Sequence, residues 1–133
     1  MAGALLDTSV VIDSDDPEVA CSLGTLPNIA VSCITLAELA AGPHLTADPA
    51  DRARRQARLQ QAEAMIEPLP FDAAAARSYG LVVAAVANAR RSHRGPLADL
   101  LIAAIAHANG LDLYTRNPAD LVGLDQLIDI VSL

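Results

Sequence analysis

The chain contains no lysine and no tryptophan, and its aromatic residues are only Phe71, Tyr79 and Tyr114. Without lysine there is no Walker A loop, whose lysine reaches nucleotide phosphates, and no Schiff-base chemistry. None of the seven glycines falls in a G-x-G spacing, so the dinucleotide-binding fingerprint is missing too. The two cysteines, Cys21 and Cys33, are too few for a disulfide framework and too sparse for a structural zinc site. Both have apolar neighbours and are expected as buried free thiols of a reducing compartment. Hydrophobic residues make up 53% of the chain, yet with so few aromatics the core has to be built from Leu, Ile, Val and 27 Ala. That composition implies closely approached helices. A length of 133 residues fits one domain, residues 1–133.

Long apolar runs are also lacking. The opening MAGALLDTSVVID has no basic segment and is interrupted by Asp7. No uncharged run approaches the ~20 residues of a membrane span. The expectation is a soluble, cytoplasmic protein with no membrane partner. Basic charge is scarce, with nine arginines against 16 acids and a net charge of −7, which argues superficially against nucleic acid. The arginines are nonetheless clustered, at 52–58 (Arg52, Arg54, Arg55, Arg58) and at Arg90, Arg91 and Arg94, so the total decides little.

Short apolar runs alternate with helical patterns. Strands are expected at Ala4–Leu6, Asn28–Ser32, Leu111–Thr115 and Leu127–Val131, with a brief extended piece at Glu67–Pro70. Helices are expected over Thr35–Ala41, stopped by Gly42-Pro43; from Asp48-Pro49 to about Ile66, with Asp51 paired to Arg55; from a cap at Asp72 to about Arg91; from Gly95-Pro96 to Gly110; and, briefly, over Asn117–Val122. Pro43–Ala47 reads as the loosest piece. Strands separated by helices imply an α/β fold with a mostly parallel central sheet and helices on both faces.

Several acids stand where a core is expected. Asp7 follows Ala4–Leu6, at the rim where open α/β sheets bind ligands, though a helix cap explains it equally. Glu38 lies in ITLAELAAG, and Thr35 to Glu38 matches a capping box. Asp99 interrupts PLADLLIAAIAHA, where the helix dipole returns only about 0.3–1 kcal/mol against the far larger cost of an unpaired buried carboxylate. Asn117 and Asp120 lie in YTRNPADL and also suit a helix start. Carboxylates converging on one rim repel, and a hard divalent cation relieves them; an all-oxygen set suits magnesium or manganese rather than zinc. The chemistry such a set fits is metal-assisted hydrolysis of a phosphodiester.

In order along the chain, LLDTSVVID, TLAELAAG, ADLLIAAIAHANG and LYTRNPADL resemble the motifs of PIN domains, and most closely those of VapC-type toxins of bacterial VapBC toxin–antitoxin pairs. The resemblance implies a PIN-like domain and an endoribonuclease dependent on Mg²⁺, with Mn²⁺ as substitute. It makes Asp7, Glu38 and Asp99 the acidic set, with Asp7 and Asp99 nearest the metal. The family's fourth acidic position holds Asn117, an amide, with Asp120 three residues on as the alternative. Ser9 resembles a hydroxyl found beside the first acid, where it would hold a carboxylate or a water on the metal. Arg90, Arg91, His93 and Arg94 precede the helix of Asp99 and would flank the site, holding RNA phosphates; a helix C-terminus explains them too. Arg52–Arg58 reads as a solvated helix face or a partner surface. His44 and His107 have no companion at metal-ligand spacing and read as structural. The resemblance further implies a homodimer and a cognate VapB-type antitoxin. An antitoxin arginine would plug the acids, with an apolar segment docking around Thr35–Ala41 and Pro43–Arg58.

Two rivals fail on residues: a receiver domain needs a lysine, and a haloacid-dehalogenase-like phosphatase needs a second acid where Ser9 stands. The alternative that stays open is a catalytically weak PIN-like module that binds RNA without cutting it, for which the amide at Asn117 speaks.

Overall fold

The computed structural model describes residues 3–65, 67–90 and 96–133. The apolar run Ala4–Leu6 forms the central strand β1, buried throughout. Strands β2 (Ile29–Val31) and β3 (Asp112–Thr115) flank it, and β4 (Ile130–Ser132) extends the sheet beyond β3. The order is β2-β1-β3-β4 and every pairing is parallel, with Leu5 opposite both Ala30 and Leu113. Parallel strands need crossovers. Six α-helices are described: α1 (Thr8–Ile12), α2 (Pro17–Gly24), α3 (Cys33–Ala41), α4 (Pro49–Met65), α5 (Ala73–Arg90) and α6 (Leu97–Ala108).

The two-residue period of the strands divides the core. Leu5 and Leu113 face Val82 and Val86 of α5 and Ile102 and Ile105 of α6, while Leu6 and Tyr114 face Val10 of α1 and Val19 of α2. Truncating Leu5 or Leu113, both fully buried, to Ala is expected to cost about 2–5 kcal/mol. Ala103, Ala104 and Ala106 are also fully buried, the small side chains that let α6 sit close to its neighbours.

Local chemistry sets the helix ends. Ser32 caps α3 by accepting the Thr35 amide at 3.1 Å, and Asp72 caps α5 by accepting the Ala75 amide at 2.9 Å. At the end of α6, Gly110 turns to φ 64°, the Leu111 amide reaches the Ala106 carbonyl at 2.9 Å and the Gly110 amide reaches His107 at 3.3 Å. That pattern needs a residue tolerant of positive φ. Asp51 and Arg55 pair at 3.1 Å as expected.

Several expectations are corrected. Helix α3 starts at Cys33 under the Ser32 cap, so the Thr35–Glu38 capping box does not form and Glu38 lies within the helix. Helices α1 and α2 were not expected as such; Asp16 caps α2 with Pro17 at its first position, a start signal present in the sequence. Glu67–Pro70 contributes only a bridge between Leu69 and Ser32. Asn117–Val122 is a 3₁₀ turn over Pro118–Leu121, and the Asn117 side chain makes no cap bond. Pro43–Ala47 is tied down rather than loose: a 3₁₀ turn covers Gly42–Leu45, Arg52 donates to the carbonyls of Pro43 and Thr46 at 3.2 and 3.0 Å, and Arg55 donates to that of Gly42 at 2.9 Å. Those two arginines brace the chain from a helix face that is solvated as expected, with Arg52 and Arg54 exposed. Cys21 is exposed, not buried, because α2 buries only Val19; Cys33 is half-buried. Among the described residues, no helix is long and apolar enough to cross a membrane.

In a parallel sheet all carboxyl ends share one edge. Asp7, Ser32 and Arg116 follow β1, β2 and β3 there. Helix α6 turns tightly into the opposite end of β3, so its first turn, with Asp99, returns to that same edge.

Candidate active site

Asp7 continues the ladder beyond β1, its amide donating to the Tyr114 carbonyl at 2.9 Å, which sets it beside Thr115. The residue is buried, at 4% exposure. Oδ1 accepts the Thr8 amide at 2.8 Å, and Oδ2 accepts the hydroxyls of Ser9 and Thr115, each at 2.9 Å. Ser9 Oγ accepts the Arg116 amide at 3.1 Å and Thr115 Oγ1 accepts the Asn117 amide at 3.0 Å. Each hydroxyl is thus oriented by a backbone N–H, leaving its own proton for Asp7. Of the two uses expected for Ser9, the geometry shows the first, holding a carboxylate. Asp7 is at once the cap of α1 and a member of the acid rim. The end of α1 is braced by an ion pair at 3.2 Å between Asp13 and Arg116.

Glu38 reaches the same corner from α3. Thr8 Oγ1 donates to its Oε1 at 2.6 Å. Asp99, half-buried in the first turn of α6, is the perturbed member. Its carboxyl is pushed up to about 7, first by burial and then by the negative charges of Asp7, Asp120 and Glu38. Three acids from three separate stretches of chain therefore act on a fourth, Asp99. Asp120, in the 3₁₀ turn, belongs to this group, whereas the Asn117 side chain is exposed and only its backbone N–H takes part. Arg91 and Arg94 lie outside the described residues, as does the side chain of Arg90. His107 bonds Ser78 through Nδ1 at 2.8 Å, tying α6 to α5, a structural use as expected.

Reasoning from sequence missed Thr8, Thr35 and Thr115 as parts of the site. The signals are faint: a threonine directly after an acid, one in the first turn of a helix, and one ending a strand. None is distinguishable in sequence from ordinary β-branched filler.

Among the described residues, no three His, Cys, Asp or Glu side chains lie close enough together to hold a metal ion by themselves. The donor set nevertheless fits a hard cation. It is all oxygen, and magnesium takes only one or two carboxylates, completing its shell with water and substrate oxygens. The raised Asp99 marks an uncompensated negative field that a cation would relieve.

With this geometry in hand, comparison with known proteins places the chain. The model of the PIN domain matches residues 4–120. The chain is 34% identical over 124 residues, 93% of its length, to Ribonuclease VapC5 of Mycobacterium tuberculosis, 89% of which is covered. The fold superposes on the crystal structure of VapBC-5, a member of the VapBC family of toxin–antitoxin systems from M. tuberculosis. The TM-score is 0.83 with 32% identity, covering 100% of both chains. It also superposes on the structure of FitAcB from Neisseria gonorrhoeae, with a TM-score of 0.79 and 26% identity over 96% of each chain. The chain belongs to the PIN-domain family and, within it, to the VapC-type proteins.

Proposed function

We propose that the chain is the ribonuclease toxin of a type II toxin–antitoxin pair, hydrolysing RNA phosphodiester bonds in the cytoplasm with a divalent cation, Mg²⁺ or Mn²⁺, at its acidic rim. The observation that carries this reading is the convergence of Asp7, Glu38 and Asp120 on the half-buried Asp99. Asp7 and Asp99 would hold the ion. When bound, it supplies charge neutralisation at the scissile phosphate and acidifies a water. The chain's own residues do the rest. Thr8, Ser9 and Thr115 fix the Asp7 carboxylate, Thr8 orients Glu38, and Asp120 acts as the fourth acid, facing Asp99 from the turn after β3. Asn117 supports that turn through its backbone, its N–H donating to Thr115 Oγ1 and its carbonyl accepting the Asp120 amide. Arg90, Arg91 and Arg94 would hold RNA phosphates on the approach to α6. The non-cutting alternative drew on the amide at Asn117; the charge of Asp120 at Asp99 supplies a fourth carboxylate in its place.

The partners follow from the same reading, with residues 1–133 acting as one domain. An antitoxin of VapB type would insert an arginine among the carboxylates. Its apolar segment finds a groove of about 330 Å³ between α4 and the sheet, lined by Leu6, Val11, Leu23, Ile29 and Val31 with Arg58 at its lip. A second copy of the chain would cover the exposed face of α5, where Leu81 stands 52% exposed. The test is cleavage of single-stranded RNA by the purified chain with Mg²⁺ and with EDTA. Metal-dependent cutting supports the reading, and RNA retarded without cutting points to the binding module.

A further inference from the structure

The hydroxyls behind Glu38 form a chain whose direction is forced. Thr8 Oγ1 has one proton, and it goes to Glu38 Oε1, 2.6 Å away. The Thr8–Thr35 contact of 2.9 Å then has to use the Thr35 proton. Ser32 Oγ, which already accepts the Thr35 amide at 3.1 Å, gives its own proton to Thr35 Oγ1 at 3.4 Å. A relay therefore runs from the first turn of α3 through Ser32, Thr35 and Thr8 to Glu38, with every hydroxyl proton used. Ser32 and Thr35 have no exposure at all and Thr8 only 7%, so the bonds among these three hydroxyls are shielded from water, and only the last one, to Glu38, lies at the surface. Glu38 itself is exposed, and a solvent-facing glutamate otherwise samples several rotamers.

The geometry points to Thr8 and Thr35 as positioning residues that hold the Glu38 carboxylate in the acid rim by a unidirectional hydroxyl relay. Thr8 is the junction. Its backbone amide holds Asp7 Oδ1 while its hydroxyl holds Glu38, so one residue sets two acids from different elements relative to each other. Thr35 acts one step back: without its proton, the Thr8 hydroxyl loses the donor that fixes its rotation. Outer partners of this kind cost ~10–100-fold in metal affinity or activity when removed. This inference rests on the proposed metal-dependent cleavage for its kinetic readout, but not for its structural one.

The experiment compares Thr8→Val, Thr8→Ser, Thr35→Val and Thr35→Ser with the unaltered chain. It measures Mn²⁺ binding by calorimetry, the KM and kcat for RNA, and the Glu38 rotamer in crystals. The relay predicts that Thr8→Val and Thr35→Val weaken Mn²⁺ binding and lower kcat by ~10–100-fold, the first more than the second, with KM for RNA unchanged. Both serine variants should restore the unaltered values, and Glu38 should leave its rotamer in the valine variants. Valine variants that bind Mn²⁺ and cut RNA like the unaltered chain, even if they melt earlier, would overturn the proposal and leave the hydroxyls purely structural. Should the unaltered chain neither cut RNA nor bind Mn²⁺, the proposed function falls. The crystals still decide the relay, since a Glu38 unmoved in Thr35→Val and Thr8→Val contradicts it. Thr35→Val carries the test if Thr8→Val fails to fold.

Discussion

Two corners of one rim treat a carboxylate in opposite ways. Where β1 meets β3, Asp7 is wrapped by three donors, each oriented by the backbone around it. At the start of α6, no side-chain hydrogen bond reaches Asp99 among the described residues, and it feels burial and the negative charges of three other acids. The first corner is complete as folded. The second is left in a state that ordinary folding energetics disfavours, because burial and like charge both oppose ionisation. The contrast separates an anchored carboxylate from an uncompensated one, and strongly perturbed acids cluster at functional sites.

The strongest way to break this comparison is to remove the anchor. Asp7→Asn should lower RNA cleavage by at least about a hundredfold, exceeding the loss from outer partners, while circular dichroism shows the fold kept. Asp99→Asn should be as damaging to cleavage yet act oppositely on stability. In the metal-free folded chain Asp99 titrates at about 7 rather than at its ordinary 3.8, so between those values the folded state holds a proton that the unfolded state has lost. Stability therefore falls as pH rises from about 4 to 7 and stays lowered above it. Asp99→Asn should flatten that slope and raise the melting temperature at pH 8 by a few degrees. After allowance for partial solvent screening, this corresponds to about 1 kcal/mol. A melting curve that is unchanged across this range would remove Asp99's special status.

A third perturbation sharpens the donor side. Thr115→Val deletes one of the three donors to Asp7 and should lower cleavage by about 10–100-fold, with Thr115→Ser restoring it. The smallest effects concern the fourth position. Asp120→Asn should move the pH range over which the metal-free chain loses stability to lower pH, because it removes one of the charges raising Asp99, whereas Asn117→Ala should change the rate by less than about threefold, near the limit expected for exposed polar side chains. An Asn117→Ala loss larger than that of Asp120→Asn would reverse the assignment.

How much of this was legible in the sequence depends on the length scale involved. The strand Ala4–Leu6, the Asp72 cap and the Gly110 stop rest on local chemistry and were readable. So were Asp7, Glu38 and Asp99 as candidates, because an acid in an apolar stretch violates the pattern around it. The role of Thr115 depends on a partner 108 positions away, and that of Thr35 on one 27 away, and nothing local marks either. The capping box at Thr35–Glu38 misled for a related reason: an equally good cap, Ser32, stood three residues earlier and took the helix start. The bracing by Arg52 and Arg55 was not legible, because the carbonyls they hold, at Gly42, Pro43 and Thr46, become available only once the chain turns back after α3.

The central claim is that the acid rim works by holding a divalent cation between an anchored Asp7 and a charge-starved Asp99. Single-stranded RNA incubated with the purified chain, its Asp7→Asn and Asp99→Asn variants, and the unaltered chain in EDTA tests it most directly. Cutting is expected only from the unaltered chain with Mg²⁺ or Mn²⁺ present. Full cleavage in EDTA, or by both variants, would contradict it.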